Sequence, residues 1–181
     1  MSIAIVWSSP NGNGLTASAK NAVLEGIQKQ GMEYQEYHLN TMDVNTCLAC
    51  STGYGLCKAE GSCVLEDDFQ DLYHTLCKSD GIVLVTAVYW HDMTEVLKSF
   101  MDRLRRCETA HNHHLEGKPC MLIACAGGSG NGAIRCLFTM EHALENMKMT
   151  AVERLPVTKF NRSYLLPALT EAGAAFCEKV R

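Results

Sequence analysis

The stretch SIAIVWSSPNGNGLTAS, Ser2 to Ser18, holds a strand, a loop and the start of a helix. Ser2–Trp7 is a short apolar run rich in β-branched residues and ended by turn formers, which reads as a buried strand. SSPNGNG is a loop. From Thr16 the spacing turns helical: Ala19, Ala22, Val23, Gly26, Ile27 and Gln30 share one side, and Gly31 ends the helix.

The same alternation continues along the chain. EYQEYHL (Glu33–Leu39) alternates and reads as a second, less buried strand. DDFQDLYHTLCKS (Asp67–Ser79) is a helix with two carboxylates in its first turn, where the helix dipole favours them. GIVLVTA (Gly81–Ala87) is the most hydrophobic run and predicts a central parallel strand. A helix is expected over Met93–Arg106, a strand over Cys120–Cys125 and a helix over GAIRCLFTMEHALENM. A last strand covers Thr150–Val157, and LPALTEAGAAFCEKV closes the chain as a helix. Strands that alternate with helices in this way form a parallel sheet covered on both faces. No linker or repeat divides residues 1–181, so a single domain is expected.

Composition narrows the function. Apolar residues make up 47% and charged residues 20%, ordinary for a globular protein. The net charge of −4 and the absence of a basic run argue against nucleic acid as a partner. No apolar stretch approaches the roughly 20 residues needed to cross a bilayer. The opening MSIAIVWSSP has no basic segment ahead of an apolar one, so no signal peptide is read there and a cytoplasmic protein is expected. Its ten cysteines are then expected to be reduced or metal-bound.

In such sheets ligands bind outside the carboxyl ends of the strands. Three loops fall there. SSPNGNGLTAS offers hydroxyls, amides and flexible glycines at a helix N-terminus, which suits a phosphate. The plainer alternative is a strand-to-helix connection with Thr16 as N-cap. Gly12, Gly14 and Ala17 also match a dinucleotide fingerprint, but Ser8–Asn11 separate them from the strand, and that reading is set aside. The second loop places Tyr89 and Trp90 after a buried strand, where aromatics stack on a planar ligand or cap the core. In the helix that follows, Val96, Leu97, Phe100, Met101 and Leu104 form an apolar stripe, with Lys98, Asp102 and Arg103 on a solvated or interface flank. The third loop, CAGGSGNGA (Cys125–Ala133), brings glycine backbone close to something.

A fourth segment, CLACSTGYGLCKAEGSC (Cys47–Cys63), holds four cysteines in one long connection. Iron–sulfur ligands, zinc ligands and reduced thiols are all open readings. Most of the other six cysteines read as small buried hydrophobes. AHNHH (Ala110–His114) is a weaker metal signal, since contiguous histidines are more often solvated.

SSPNGNGLT, then CLAC…CKAEGSCVLEDD, then SDGIVLVTAVYW…LKSFMDR resemble the NAD(P)H-dependent FMN reductases of the flavodoxin-like superfamily, on the branch with the iron–sulfur flavoproteins. The resemblance covers most of the chain to about Arg106 and is looser afterwards. It implies a three-layer α/β sandwich with a five-stranded parallel sheet in order 2-1-3-4-5, and FMN as cofactor. The family's phosphate loop falls on Ser9, Asn11, Asn13, Leu15, Thr16 and Ala17. Its isoalloxazine loop falls on Ala87, Val88, Tyr89, Trp90 and His91, and the glycine loop, with Ala126, Gly127, Gly128 and Gly130, flanks the other edge of the ring. Two positions depart from the pattern: Asn11 stands where a basic residue is usual, and Ala87 where a proline is usual.

Iron–sulfur flavoproteins carry a compact cysteine run, and the resemblance implies a [4Fe–4S] cluster on Cys47, Cys50, Cys57 and Cys63. The middle gap here, six residues around TGYG, is longer than the family's. The expected activity is an FMN-dependent oxidoreductase taking electrons from NAD(P)H to a small acceptor. His91 is a candidate proton relay at the flavin edge. The rival readings are an electron carrier between a ferredoxin-like donor and acceptors, and a zinc- or thiol-based redox sensor. A homodimer or dimer of dimers is expected through the Met93–Arg106 helix, and the cysteines are expected to converge near the flavin.

Overall fold

Five strands form one all-parallel sheet: β1 (Ser2–Ser8), β2 (Glu33–His38), β3 (Gly81–Ala87), β4 (Pro119–Ala126) and β5 (Thr150–Thr158). Their order is β2-β1-β3-β4-β5, the flavodoxin-like arrangement. The structure, a computed structural model, describes the backbone of residues 1–181 and every side chain except those of His111 and Asn112. The helices are α1 (Leu15–Lys29), α2 (Leu56–Ala59), α3 (Phe69–Lys78), α4 (Glu95–Cys107), α5 (Ala133–Asn146) and α6 (Arg162–Lys179).

The two-residue period of a strand sorts the core into two layers. Ile3, Ile5, Val83, Val85, Met121 and Ile123 face α1 and α6, where Val23, Ile27, Leu169 and Phe176 meet them. Ala4, Val6, Ile82, Leu84, Leu122 and Ala124 face the other way, onto Phe69 and Leu72 of α3, Leu97 and Phe100 of α4, and Leu137 and Met140 of α5. β2 is the exposed edge, as its alternating polar sequence implied. The α1–α6 contact is close because Gly26 and Gly173 have no side chain. A Cβ on Gly26 would run into the Thr170 carbonyl, and one on Gly173 into the Val23 carbonyl.

Several details differ from the sequence reading. α1 begins at Leu15 with Gly14 in the N-cap position, so Thr16 lies inside the helix and is no cap. The Asp67–Asp68 pair precedes α3 instead of forming its first turn. Asp68 Oδ2 accepts the Asp43 N–H at 2.8 Å, and Asp67 binds Arg103, so both carboxylates serve tertiary contacts. Arg103 itself is buried, not on a solvated flank. The apolar stripe of α4 is consumed by the core: Leu97, Phe100, Met101 and Leu104 are all buried. α6 starts four residues earlier than read and contains Pro167. Glu108–Asn112 form a π-helical turn that no sequence signal announced. No helix among the described residues is long and apolar enough to cross a membrane.

Candidate functional site

The strands end flush. Ser8 pairs with Thr86, Ala87 with Cys125, and Ala126 with Thr158. The loops after β1, β3 and β4 therefore leave one edge of the sheet together. A buried chain of hydroxyls ties two of them. Thr94 Oγ1 donates to Ser8 Oγ at 2.7 Å, Ser8 Oγ donates to Thr86 Oγ1 at 3.1 Å, and the Thr94 N–H donates to Thr86 Oγ1 at 3.2 Å. Thr94 is also the N-cap of α4, accepting from the Leu97 N–H. Thr86 and Thr94 were missed from sequence, although a threonine just before an apolar helical stripe is an N-cap signal.

In the loop after β1, Ser9 Oγ donates to the Asn11 carbonyl and accepts the Asn11 N–H, both at 3.2 Å, while Asn11 Oδ1 accepts the Asn13 N–H at 3.2 Å. His38 Nε2 holds the Ser9 carbonyl at 2.8 Å and stacks on Trp7 at 3.6 Å between ring centroids. The loop is thus folded on its own polar groups and pinned to β2. No side chain caps α1, and no acidic residue lies in its first turn. The unpaired N–H groups of a helix start carry partial positive charge, so Leu15, Thr16 and Ala17 present donors to an anion.

Between β3 and α4 the chain makes a tight turn. Tyr89 and Asp92 exchange backbone hydrogen bonds at 2.8 and 2.9 Å, and both residues between them are left-handed, Trp90 at φ +47° and His91 at φ +70°. Non-glycine residues in that region carry strain that clusters at ligand sites. The turn pushes Trp90 out to 98% exposure, so it does not cap the core. The Val88 N–H bonds the Cys125 carbonyl at 3.0 Å, joining this turn to the glycine loop. Gly132, at φ +89°, packs against His91 so closely that a Cβ there would stand 2.7 Å from the His91 Cα. Val88, Trp90, His91, Ala126, Gly127, Gly128, Ser129, Gly130 and Asn131 surround one cleft of about 230 Å³. The predicted flavin-loop residues Val88, Trp90 and His91 and all four predicted glycine-loop residues meet there. Asn131 and Gly132 were not singled out beforehand.

The four loop cysteines also come together. Cys47, Cys50, Cys57 and Cys63 line one small cavity of about 20 Å³, with Cys107, Arg103 and Arg106. Ala49 and Ser51, at φ +47° and +58°, bend the chain on either side of Cys50, and the Ala49 N–H points at Cys47 Sγ at 3.4 Å. Burial first, and then the neighbouring Cys57 and Cys63, push the Cys107 thiol up to about 12. Among the described residues no three His, Cys, Asp or Glu side chains stand close enough to hold a metal ion. The donor set thus suits a thiolate-held group in its chemistry, without a preformed cage.

The position of this cavity corrects the sequence reading. The cysteines do not gather beside the flavin loops but toward the C-terminal end of α4. Arg103 and Cys107 lie nine and thirteen residues past Thr94, or about 14 and 20 Å along the helix axis. The segment after β2 is long enough to double back, and α4 captures it. Arg103 donates to the Asn45 carbonyl at 3.0 Å, and Arg106 donates to the Gly53 carbonyl and lies over the Tyr54 ring at 4.8 Å. Of the histidine stretch Ala110–His114, the His111 side chain is outside the described residues.

Comparison with known proteins gives the family and the fold. Residues 1–161 match the model of the family described as NADPH-dependent FMN reductase, well beyond Arg106. An iron–sulfur flavoprotein of Archaeoglobus fulgidus is 31% identical over 125 residues, 69% of this chain and 54% of that protein. An iron–sulfur flavoprotein of Methanocaldococcus jannaschii is 34% identical over 127 residues, 70% of this chain and 62% of its own length. The chain therefore spans little more than half of these relatives. The solved NAD(P)H:quinone oxidoreductase from Methanothermobacter marburgensis superposes with a TM-score of 0.74 over 97% of this chain and 96% of that one, at 18% identity, a likeness of fold. The chain belongs to the NADPH-dependent FMN reductase family.

Proposed function

We propose that the protein is an FMN-dependent oxidoreductase that takes electrons from NADH or NADPH and delivers them to a small acceptor. The observation that carries this reading is a strained aromatic turn and a glycine loop that share one cleft, with an uncapped helix start at the same end of the sheet. Ser9, Asn11, Asn13, Leu15, Thr16 and Ala17 would hold the phosphate with neutral donors and the positive end of α1. Ala87, Val88, Tyr89, Trp90 and His91 would run along one edge of the ring, and Ala126, Gly127, Gly128 and Gly130 along the other. FMN bound there would supply the redox chemistry, and the chain binds, orients and shields it. His91, exposed at the rim of the cleft, would carry a proton to the acceptor. The exposed Trp90 ring offers a stacking face to a planar acceptor. The test is anaerobic: NADH or NADPH should bleach the flavin band of the holoprotein, and a quinone should restore it. Failure of both nucleotides to bleach it would overturn the reading.

A second reading keeps the flavin and makes the protein a one-electron carrier between a ferredoxin-like donor and its acceptors. Four thiols around one cavity favour it. In that reading Cys47, Cys50, Cys57 and Cys63 ligate a [4Fe–4S] cluster. Iron and sulfide in anaerobically purified protein, with flavin reduction by reduced ferredoxin but not by NAD(P)H, would support the carrier. Protein without flavin, holding zinc or free thiols, would support a redox sensor instead. A homodimer would use the apolar groups outside the core, Trp90, Ile134, Phe138, Phe160 and Tyr164, since the α4 stripe is buried.

A further inference from the structure

One donor nitrogen of Arg103 has no partner among the described residues. The side chain is 1% exposed. Nη1 and Nη2 grip the two oxygens of Asp67 at 2.6 and 2.8 Å, and Nη1 also donates to the Asn45 carbonyl at 3.0 Å. The guanidinium lies over the Phe69 ring, with Cζ 4.2 Å from its centroid. These contacts fix the group in plane and orientation. Its Nε is buried and has no hydrogen-bond partner among the described residues. A buried donor left unmade is costly, and native chains keep few of them.

The same side chain lines the cysteine cavity together with Cys63. A neutral thiol is a weak acceptor, whereas a metal-bound thiolate is anionic and accepts a charge-assisted hydrogen bond. Four thiolates in a sheltered cavity also need positive charge nearby, which a guanidinium supplies without losing its proton.

We propose that Arg103 is the positioning residue of a thiolate-held metal centre in this cavity, its Nε–H donating to the Cys63 sulfur when the loop cysteines ligate the metal. This rests on the reading of the cysteine loop as a metal loop. The ligand class is a soft, thiophilic metal centre, either a cluster or a single ion. The thiols release their protons on ligation. Asp67 holds the guanidinium from behind, so Cys63 is tied through Arg103 to both α3 and α4. Lysine cannot replace it, because one ammonium cannot bind Asp67 as a fork and still present a fixed donor to sulfur.

Cadmium is the probe, because it reports thiolate ligation without cluster assembly. Metal-free wild type, Arg103→Lys and Cys63→Ser are titrated anaerobically with Cd²⁺. Binding is followed by the thiolate-to-metal ultraviolet band and by the Arg103 Nε–H resonance in ¹⁵N-labelled protein. In the wild type, loading should move that resonance and slow its exchange with water. Cys63→Ser should abolish the movement, and folded Arg103→Lys should bind cadmium at least tenfold more weakly, the worth of one charge-assisted bond. If Arg103→Lys does not fold, the resonance in wild type and Cys63→Ser decides alone. A full ultraviolet band with an unmoved Nε–H resonance, or wild-type affinity in folded Arg103→Lys, overturns the role of Arg103 and leaves the metal loop standing. Absence of any thiolate band overturns both. Cadmium binding with the expected shift in a chain that takes up no iron refutes the cluster alone.

Discussion

Replacing Gly132 by alanine should uncouple the flavin turn from the rest of the protein. Gly132 sits at φ +89°, a conformation that costs an L-residue about 1–2 kcal/mol. The new Cβ would stand 2.7 Å from the Cα of His91 and 3.0 Å from its Cγ. The obstacle is main chain, so a rotamer change cannot relieve it. His91 and Trp90 are already left-handed, and the two Tyr89–Asp92 hydrogen bonds leave the turn little room to yield. The turn must shift as a unit, away from the glycine loop. Loss of even one hydrogen bond between turn and cofactor weakens binding by roughly 1–1.5 kcal/mol, about tenfold. The assay is titration of apoprotein with FMN by flavin fluorescence, paired with thermal unfolding of the apoprotein. Gly132→Ala should unfold only a few degrees below wild type yet bind FMN at least tenfold more weakly. An unchanged dissociation constant would refute the claim that the glycine loop positions this turn against the cofactor.

Gly26→Ala should do the opposite. Its Cβ meets the Thr170 carbonyl in the α1–α6 contact, far from the cleft. Overpacking of that kind costs about 1–3 kcal/mol, or a melting temperature lower by roughly 3–10 °C, with FMN affinity retained in the folded fraction. Thr16→Ala, at the start of α1, should weaken FMN binding about tenfold or more if that helix start holds the phosphate. Asp67 should make the fold acid-sensitive. Burial opposes its charge, but hydrogen bonds from Arg103 and Asn45 outweigh that and hold its carboxyl down at about 2. A depressed carboxylate stabilises the fold above its ordinary value near 4, and that contribution fades as pH falls toward 2. It amounts to roughly 2–3 kcal/mol. Urea unfolding between pH 5 and 2.5 should therefore be steeper in pH for wild type than for Asp67→Asn, and equal slopes would contradict the ion pair.

Much of this protein is written in short-range pattern. The runs of β1 and β3 announce buried strands because both faces of a parallel sheet are covered, and each helix follows its strand after turn residues. The loops at the sheet edge are legible for the same reason: glycine and hydroxyl residues crowd where backbone must approach a ligand. What was hidden is set by partners far along the chain. Arg103 looks like any charge on a helix flank until Asp67, thirty-six residues earlier, is seen to bury with it. The tight turn at Trp90 and His91 lacks the asparagine or glycine that usually marks left-handed residues, since its surroundings impose the strain. The cysteine loop sits along α4 because Arg103 and Arg106 catch its carbonyls, which spacing cannot reveal.

The most direct measurement is the identity and stoichiometry of the flavin released from purified, reconstituted protein. FMN at one per chain is expected, and Gly132→Ala protein should return less of it under the same conditions. FAD as the main species, or no flavin even after incubation with excess FMN, would contradict it.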